Sequence, residues 1–183
     1  MKLINELLPG CFLLQPNRFE DQRGCFVKTY HEGLYAALGV NLEIREEFFS
    51  ISHKNVLRGM HFQLPPHAHD KLVYCIRGAV LDVLLDLRRG EGYGRVASAQ
   101  LSGENGRLIF IPKGIAHGFV ALTDESLMLY KTSTEHAPES DCGIRWDSFG
   151  FDWDVDQPII ATRDEKHATF SDFVSPFGQG TQQ

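Results

Sequence analysis

The residues from Ala79 to Leu87 alternate more cleanly than any others in the chain. Leu81, Val83, Leu85 and Leu87 make one face wholly apolar, and Val80, Asp82, Leu84 and Asp86 make the other mixed. Successive side chains of a β-strand point to opposite sides, so this period of two predicts a strand. Carboxylates are costly to bury bare, and the mixed face is therefore expected to look into a polar lumen. Shorter runs at Cys11–Leu14, Cys25–Val27, Val56–Phe62, Lys71–Ile76, Ala97–Leu101, Arg107–Ile111, Gly118–Leu122 and Leu127–Thr132 also read as strands. Turn chemistry separates them at Asp21-Gln22-Arg23-Gly24, Pro65-Pro66, Gly103-Glu104-Asn105-Gly106, Pro112-Lys113-Gly114 and Thr123-Asp124-Glu125. Leu42–Ile51 is mixed, and its adjacent Phe48 and Phe49 must point to opposite sides, one to the core and one to a cavity or partner.

Helical signals are scarce. Thr29-x-x-Glu32 has capping-box spacing, and Leu34, Tyr35 and Leu38 give a short apolar stripe ending at Gly39, the one helix start read here. Many short strands with little helix predict an all-β sandwich or jelly-roll barrel. Beyond Pro138 the chain becomes irregular and aromatic, with Trp146, Phe149, Phe151 and Trp153, which reads as a cover packed on the barrel. The tail from Ser175 is expected to fray. With no internal repeat or linker, residues 1–183 read as one domain.

Composition narrows the classes. The chain has 183 residues, 43% hydrophobic and 23% charged, which is enough for a full core and typical of globular proteins. A net charge of −6 argues against a nucleic-acid surface or a basic membrane binder, while leaving room for a local basic pocket. Cys11, Cys25, Cys75 and Cys142 lie far apart with no CxxC pair, so buried reduced thiols are expected in place of a disulfide framework. The N-terminal MKLINELLPGCFLL has only broken apolar stretches and no small-residue cleavage site. A soluble cytoplasmic protein is the expectation.

The chemistry concentrates between Asn55 and Arg88, where Arg58, His61, His67, His69, Lys71, Asp82 and Asp86 fall on or between strands. Polar groups at that density suit the wall of a wet small-molecule cavity. Gly106-x5-Pro112-x-Gly114-x2-His117 resembles the second motif of the cupin superfamily, with Ala121 in place of its final asparagine. His67-Ala68-His69 has the spacing of the metal-binding first motif. However, Val73 and Tyr74 stand where its glutamate belongs, and His61 stands where its glycine belongs. A metal-dependent cupin enzyme using His67, His69 and His117 is the second reading.

A more specific resemblance runs over roughly residues 15 to 165. Leu57-Arg58-Gly59-Met60-His61-Phe62-Gln63 leads to Pro65-Pro66 and Lys71-Leu72-Val73, and then to Asp82-Val83-x-x-Asp86-Leu87-Arg88. Further along are Ile111-Pro112-x-Gly114-x-Ala116-His117-Gly118-Phe119, Pro138-x5-Gly143-Ile144-x-Trp146 and Arg163-Asp164, with Asp21-x-Arg23-Gly24-x-Phe26 near the start. In order and spacing these resemble the dTDP-4-dehydrorhamnose 3,5-epimerase family. The resemblance implies a cupin-type jelly-roll barrel with short peripheral helices, working as a homodimer. It implies that N-terminal strands, about residues 1–30, are exchanged with the partner subunit, and that neither metal nor organic cofactor is needed. The implied substrate is a nucleotide-linked 4-keto-6-deoxy sugar, in deoxysugar or surface-polysaccharide synthesis, with no nucleic-acid or membrane partner. His61 would be the base, Asp164 the carboxylate orienting it, and Lys71 the cation beside the enolate oxygen. Arg23, Arg58, His117 and Arg163 would contact the nucleotide sugar. Taken singly, His61 could be a core histidine, Asp164 a turn residue, Lys71 an edge-strand charge and Arg23 the partner of its own turn; the shared spacing favours function.

Three positions depart from the family pattern. His136-Ala137-Pro138 stands for a Tyr-x-Pro segment whose tyrosine is read as the opposite-face proton donor, which leaves His136 or water as the candidate donor, or a lost second epimerisation, and reads Tyr130 as a packing residue. Glu46-Glu47-Phe48 replaces Gln-x-Asn, and Lys28 replaces a glutamate, so Glu46, Phe48 and Lys28 are candidate nucleotide contacts of altered preference. Loss of the phenol would favour a monoepimerase. A catalytically inactive sugar-nucleotide-binding protein is the third reading.

Overall fold

A computed structural model describes residues 1–178. Fourteen strands and two short helices follow one another as β1 (Lys2–Leu8), β2 (Cys11–Gln15), β3 (Arg18–Asp21), β4 (Gly24–Val27), α1 (Glu32–Ala36), β5 (Glu46–Ser52), β6 (Val56–Gln63), β7 (Lys71–Arg77) and β8 (Ala79–Asp86). They continue as β9 (Val96–Ser102), β10 (Leu108–Ile111), β11 (Ile115–Ala121), β12 (Ser126–Thr132), β13 (Asp141–Gly143), β14 (Ile159–Ile160) and α2 (Thr162–Glu165). One sheet has the order β1-β2-β10-β7-β12-β5; the other has β13-β6-β11-β8-β9, with β14 parallel to β6. This is an all-β jelly-roll barrel, one of the two architectures the strand pattern allows, and of the cupin type that the resemblance implies.

The alternation of β8 explains how the layers stack. Val80 and Leu84, from its mixed face, meet Val73, Ile109 and Met128 of the opposite sheet in the core between the sheets. Asp82 lies on that same face and is fully buried. Val83, Leu85 and Leu87, from the apolar face, pack beneath Trp153 and Phe177, with Trp146, Phe149 and Phe151 around them. The aromatic segment after Pro138 is thus the cover expected of it. Fully burying an aliphatic side chain is worth about 1.5–3 kcal/mol, so the two faces of this one strand anchor two layers.

Several local expectations are corrected. The N-cap of α1 is His31, not Thr29, and no side chain caps the helix. The Thr29 hydroxyl instead bonds Tyr74 across 3.2 Å, so a tertiary partner has displaced the local cap. The tail does not fray at Ser175: its hydroxyl bonds the Leu87 carbonyl, and Phe177 is buried under the cover. The rest of the expected frayed tail, residues 179–183, lies outside the described residues. Neither Phe48 nor Phe49 enters the core; they are 44% and 64% exposed because β5 is an edge strand. All four cysteines are unpaired thiols, but Cys25 is exposed, not buried. Of residues 1–30, β1 and β2 pair within the chain, while β3 and β4 form a separate two-stranded hairpin.

The wall that carries His61 depends on glycine. Gly59 of β6 faces Gly118 of β11 so closely that a Cβ on Gly59 would lie 2.5 Å from the Gly118 Cα, and Gly59 has φ of +138°. The β6–β11 register shifts between His117 and Phe119 at this point. His61 and His117 remain direct cross-strand neighbours beside it. Among the described residues, no helix is long and apolar enough to cross a membrane.

Candidate active site

A cavity of about 290 Å³ opens between the two sheets. Arg58, His61, His117 and Phe119 line it from β6 and β11; Lys71, Tyr130, Phe48 and Ser50 line it from β7, β12 and β5 of the opposite sheet. The histidines and the phenol therefore face one another across the barrel's interior.

His61 is half-buried, and its Nε2 lies 2.8 Å from Oδ1 of Asp164, which α2 carries in from far along the chain. The second oxygen of Asp164 accepts the Gly59 N–H at 3.2 Å. Burial works against the charge of Asp164, but the His167 ring 3.5 Å away and hydrogen bonds from His61 and Gly59 outweigh it and hold the carboxyl well below the usual range. Burial pulls the His61 imidazole below its ordinary pKa, with Asp164 opposing and Lys71 and Arg163 assisting. The result is a neutral imidazole beside an ionised carboxylate. A neutral ring that gives its Nε2 proton to Asp164 keeps a lone pair on its other nitrogen.

Lys71 is buried, and its ammonium donates to the His61 carbonyl at 3.1 Å. Burial pushes it down to about 8, while the carboxylates of Asp141 and Asp82 pull it back up. His117, also buried, is 2.7 Å through Nε2 from Oδ2 of Asp82. The Asp82 carboxyl is raised by burial against the pull of His117 and Lys71. The expectation of a polar lumen on the mixed face of β8 is corrected: Val80 and Leu84 pack in the apolar core, and Asp82 is carried there by its pairing with His117.

The cations at the mouth are also tethered. Arg58 donates through Nε to Ser52 at 3.0 Å, and Arg163 through Nη1 to Asp141 at 2.5 Å, and both line the cavity. Glu46 lines it too and accepts the backbone N–H of His136 at 2.7 Å. The His136 side chain is exposed at the rim, shared with an adjoining open cleft that includes His67.

Tyr130 corrects the sequence reading. It packs in the core between the sheets, but it also lies on the inward face of β12 and lines the cavity, with its hydroxyl 3.2 Å from Ser50 Oγ and its ring stacked on Phe48 at 4.7 Å. Burial raises its pKa well above that of a free phenol, so it holds its proton at neutral pH. The cavity thus has a phenol even though His136 stands in the Tyr-x-Pro segment.

A sequence model of the dTDP-4-dehydrorhamnose 3,5-epimerase family matches residues 5–172. The chain belongs to this family. It is 40% identical to the dTDP-4-dehydrorhamnose 3,5-epimerase of Methanothermobacter thermautotrophicus, over 89% of this chain and 91% of that one. It is 33% identical to the dTDP-4-dehydrorhamnose 3-epimerase of Streptomyces niveus, over 86% of this chain and 78% of that one. Its fold superposes on a dTDP-4-dehydrorhamnose 3,5-epimerase from Bacillus anthracis, solved with TDP and pyrophosphate, with a TM-score of 0.90. The identity there is 31%, covering 92% of this chain and 98% of the other. Membership makes the chain a carbohydrate epimerase, an isomerase acting on nucleotide-linked 4-keto-6-deoxy sugars.

The metal-dependent and inactive readings are not favoured by this membership. The three histidines of the metal reading also turn to separate partners: His67 to Glu139 at 3.4 Å, His69 to Gln63 at 3.1 Å, and His117 to Asp82. His69 lines the cavity, and burial next to Lys71 drives it down to about 3, so it is neutral.

Of the expected site residues, the fold brings His61, Lys71, Asp164, Arg58, His117, Arg163, Glu46, Phe48 and His136 together. All of them line the cavity except Asp164, which backs His61. Arg23 and Lys28 are not among them. Arg23 is 85% exposed at the β3–β4 turn and paired with Asp21, and Lys28 is exposed just after the hairpin. Tyr130 and His167 were not foreseen as site residues, and Asp82 was expected only as a polar wall group, without a role in the reaction. The alternation of β12 places Tyr130 with Met128 and Thr132, but Leu127 and Leu129 make its other face equally apolar, so pattern alone does not say which face is inward.

Proposed function

We propose that the chain inverts C3 and C5 of a nucleoside-diphosphate-linked 4-keto-6-deoxyhexose by proton removal on one face and return on the other. The C4 carbonyl acidifies both neighbouring C–H bonds. His61, backed by Asp164, takes the proton; the electron pair of the broken C–H bond moves into an enolate whose oxygen is stabilised by the Lys71 ammonium. Tyr130, on the opposite wall, returns a proton to the same carbon as the enolate collapses to the ketone. Arg58 and Arg163 suit the diphosphate, since guanidinium groups bind phosphate oxygens in bidentate fashion. The observation that carries this is a carboxylate-backed imidazole and a protonated phenol on facing walls of one cavity. Tyr130 supplies a phenol on the wall facing His61 even though His136 stands in the Tyr-x-Pro segment, which supports reading the chain as acting at both carbons. His136 is assigned to the rim, near the nucleotide.

The working unit is proposed to be a cytoplasmic homodimer. The β3–β4 hairpin supports this: it bonds to neither large sheet as a strand, and it exposes Phe19 and Phe26 at 59% and 60%. A second subunit would cover that apolar surface and receive Arg23 and Lys28 near its own cavity. The relatives' names carry dTDP, so TDP is the first nucleotide to test.

Incubation with the 4-keto sugar nucleotide in D2O tests the activity. Deuterium is expected at both C3 and C5, and His61→Ala should abolish uptake while nucleotide affinity is retained. Uptake at one carbon alone would overturn the two-carbon assignment, and wild-type exchange by His61→Ala would overturn the assignment of the base.

A further inference from the structure

Asp164 has a second imidazole beside it. His167 follows it by one helical turn, and its Nε2 lies 3.5 Å from Oδ1, the oxygen that His61 also uses. The ring fills a slot made by an absent side chain. Gly143 of β13 is the cross-strand partner of His61, and a Cβ there would fall 2.4 Å from the His167 ring. Ala168 holds the segment down through a bridge to Ile144 and a 2.9 Å bond from the Arg145 N–H. The ring meets His61 edge-on, with centroids 5.7 Å apart and planes at 77°.

His167 Nε2 is fully buried and makes no hydrogen bond of ordinary geometry among the described residues; the Asp164 oxygen stands 3.5 Å from it. A lone pair directed at a carboxylate oxygen would be repelled and left unsatisfied, so this nitrogen carries the proton. We propose that His167 is a positioning residue for the epimerisation: its N–H tethers Asp164 and shares the oxygen that steadies His61, without touching the cavity. The inference rests on His61 being the base.

Two consequences follow. The tether limits rotation of a carboxylate that is otherwise fixed on its second oxygen only by the Gly59 N–H. It also draws on charge that would otherwise stabilise protonated His61, keeping that imidazole in its basic form to lower pH. The other charged groups facing His61 are Lys71 and Arg163, with Arg163 Nε also 3.4 Å from Oδ1, and neither depends on His167.

Three variants separate hydrogen bonding from packing. His167→Phe fills the slot without an N–H, and His167→Gln restores an N–H with less bulk. His167→Ala removes both and serves with Gln if the Phe variant does not fold. The Phe or Ala variant is expected to lose about tenfold in kcat, as is typical when a supporting partner of a reactive group is removed, with KM within about twofold. The acid limb of its pH profile should move to higher pH, and the Gln variant should recover both properties. A wild-type profile for Phe, or equal losses in Gln and Ala, would overturn the proposal. If His61→Ala still exchanges, the base assignment fails instead.

Discussion

Two residues of the cavity set a pH window. His61 acts as a base only when neutral, and burial lowers its pKa below the ordinary imidazole value of 6.5 despite Asp164. Activity should therefore hold through pH 6.5 and fall only as pH drops further and the ring takes a proton. Lys71 stabilises an enolate only when charged, and burial brings its pKa down to about 8. Activity should fall as pH rises through about 8, giving a bell whose basic limb lies well below that of a free lysine. The kcat/KM profile of the D2O exchange measures both limbs; a basic limb near 10 would exclude Lys71 as the controlling group. At this scale the motif Arg58-Gly59-Met60-His61 with Lys71 was legible because backbone and chemistry constrain the same few positions. His167 had no such signal. Its place depends on the missing side chain of Gly143, which only the folded register brings beside it.

The strand most legible in the chain is packed on two sides. β8 reads clearly because each face meets a different apolar layer. β1 is largely exposed at the edge of its sheet and has no alternation to read. β14 and α2, of two and four residues, are shorter than either period needs to appear. Yet α2 delivers Asp164, so a decisive group arrives on an element that patterning misses. The contact of β6 with β11 is the most sensitive junction, because it sets His61 and His117 side by side. Gly59→Ala places a Cβ 2.5 Å from the Gly118 backbone at a positive φ. It should destabilise the fold by at least about 1–3 kcal/mol, the usual range for overpacking. Urea unfolding checks this, and an unchanged midpoint would mean that the strands separate there at no cost.

At the scale of the molecule, a chain of net charge −6 gathers Arg58, Lys71 and Arg163 around one opening, a local reversal suited to an anionic substrate. The barrel and its aromatic cover were legible from strand density and composition, whereas the face on which Tyr130 lies required the topology. The exposed hairpin predicts that Phe19→Asp with Phe26→Asp yields monomers by light scattering and weakens nucleotide binding. An unaltered dimer would assign the interface elsewhere. The central claim is that the two facing sheets divide the proton transfer between them, and Tyr130→Phe in D2O tests it most directly. With the donor gone but the base intact, the ketone should still take up deuterium through His61 on its original face. Epimer formation should fall by about 10²–10⁴-fold, the usual contribution of a positioned acid. Epimerisation at the wild-type rate would contradict the account.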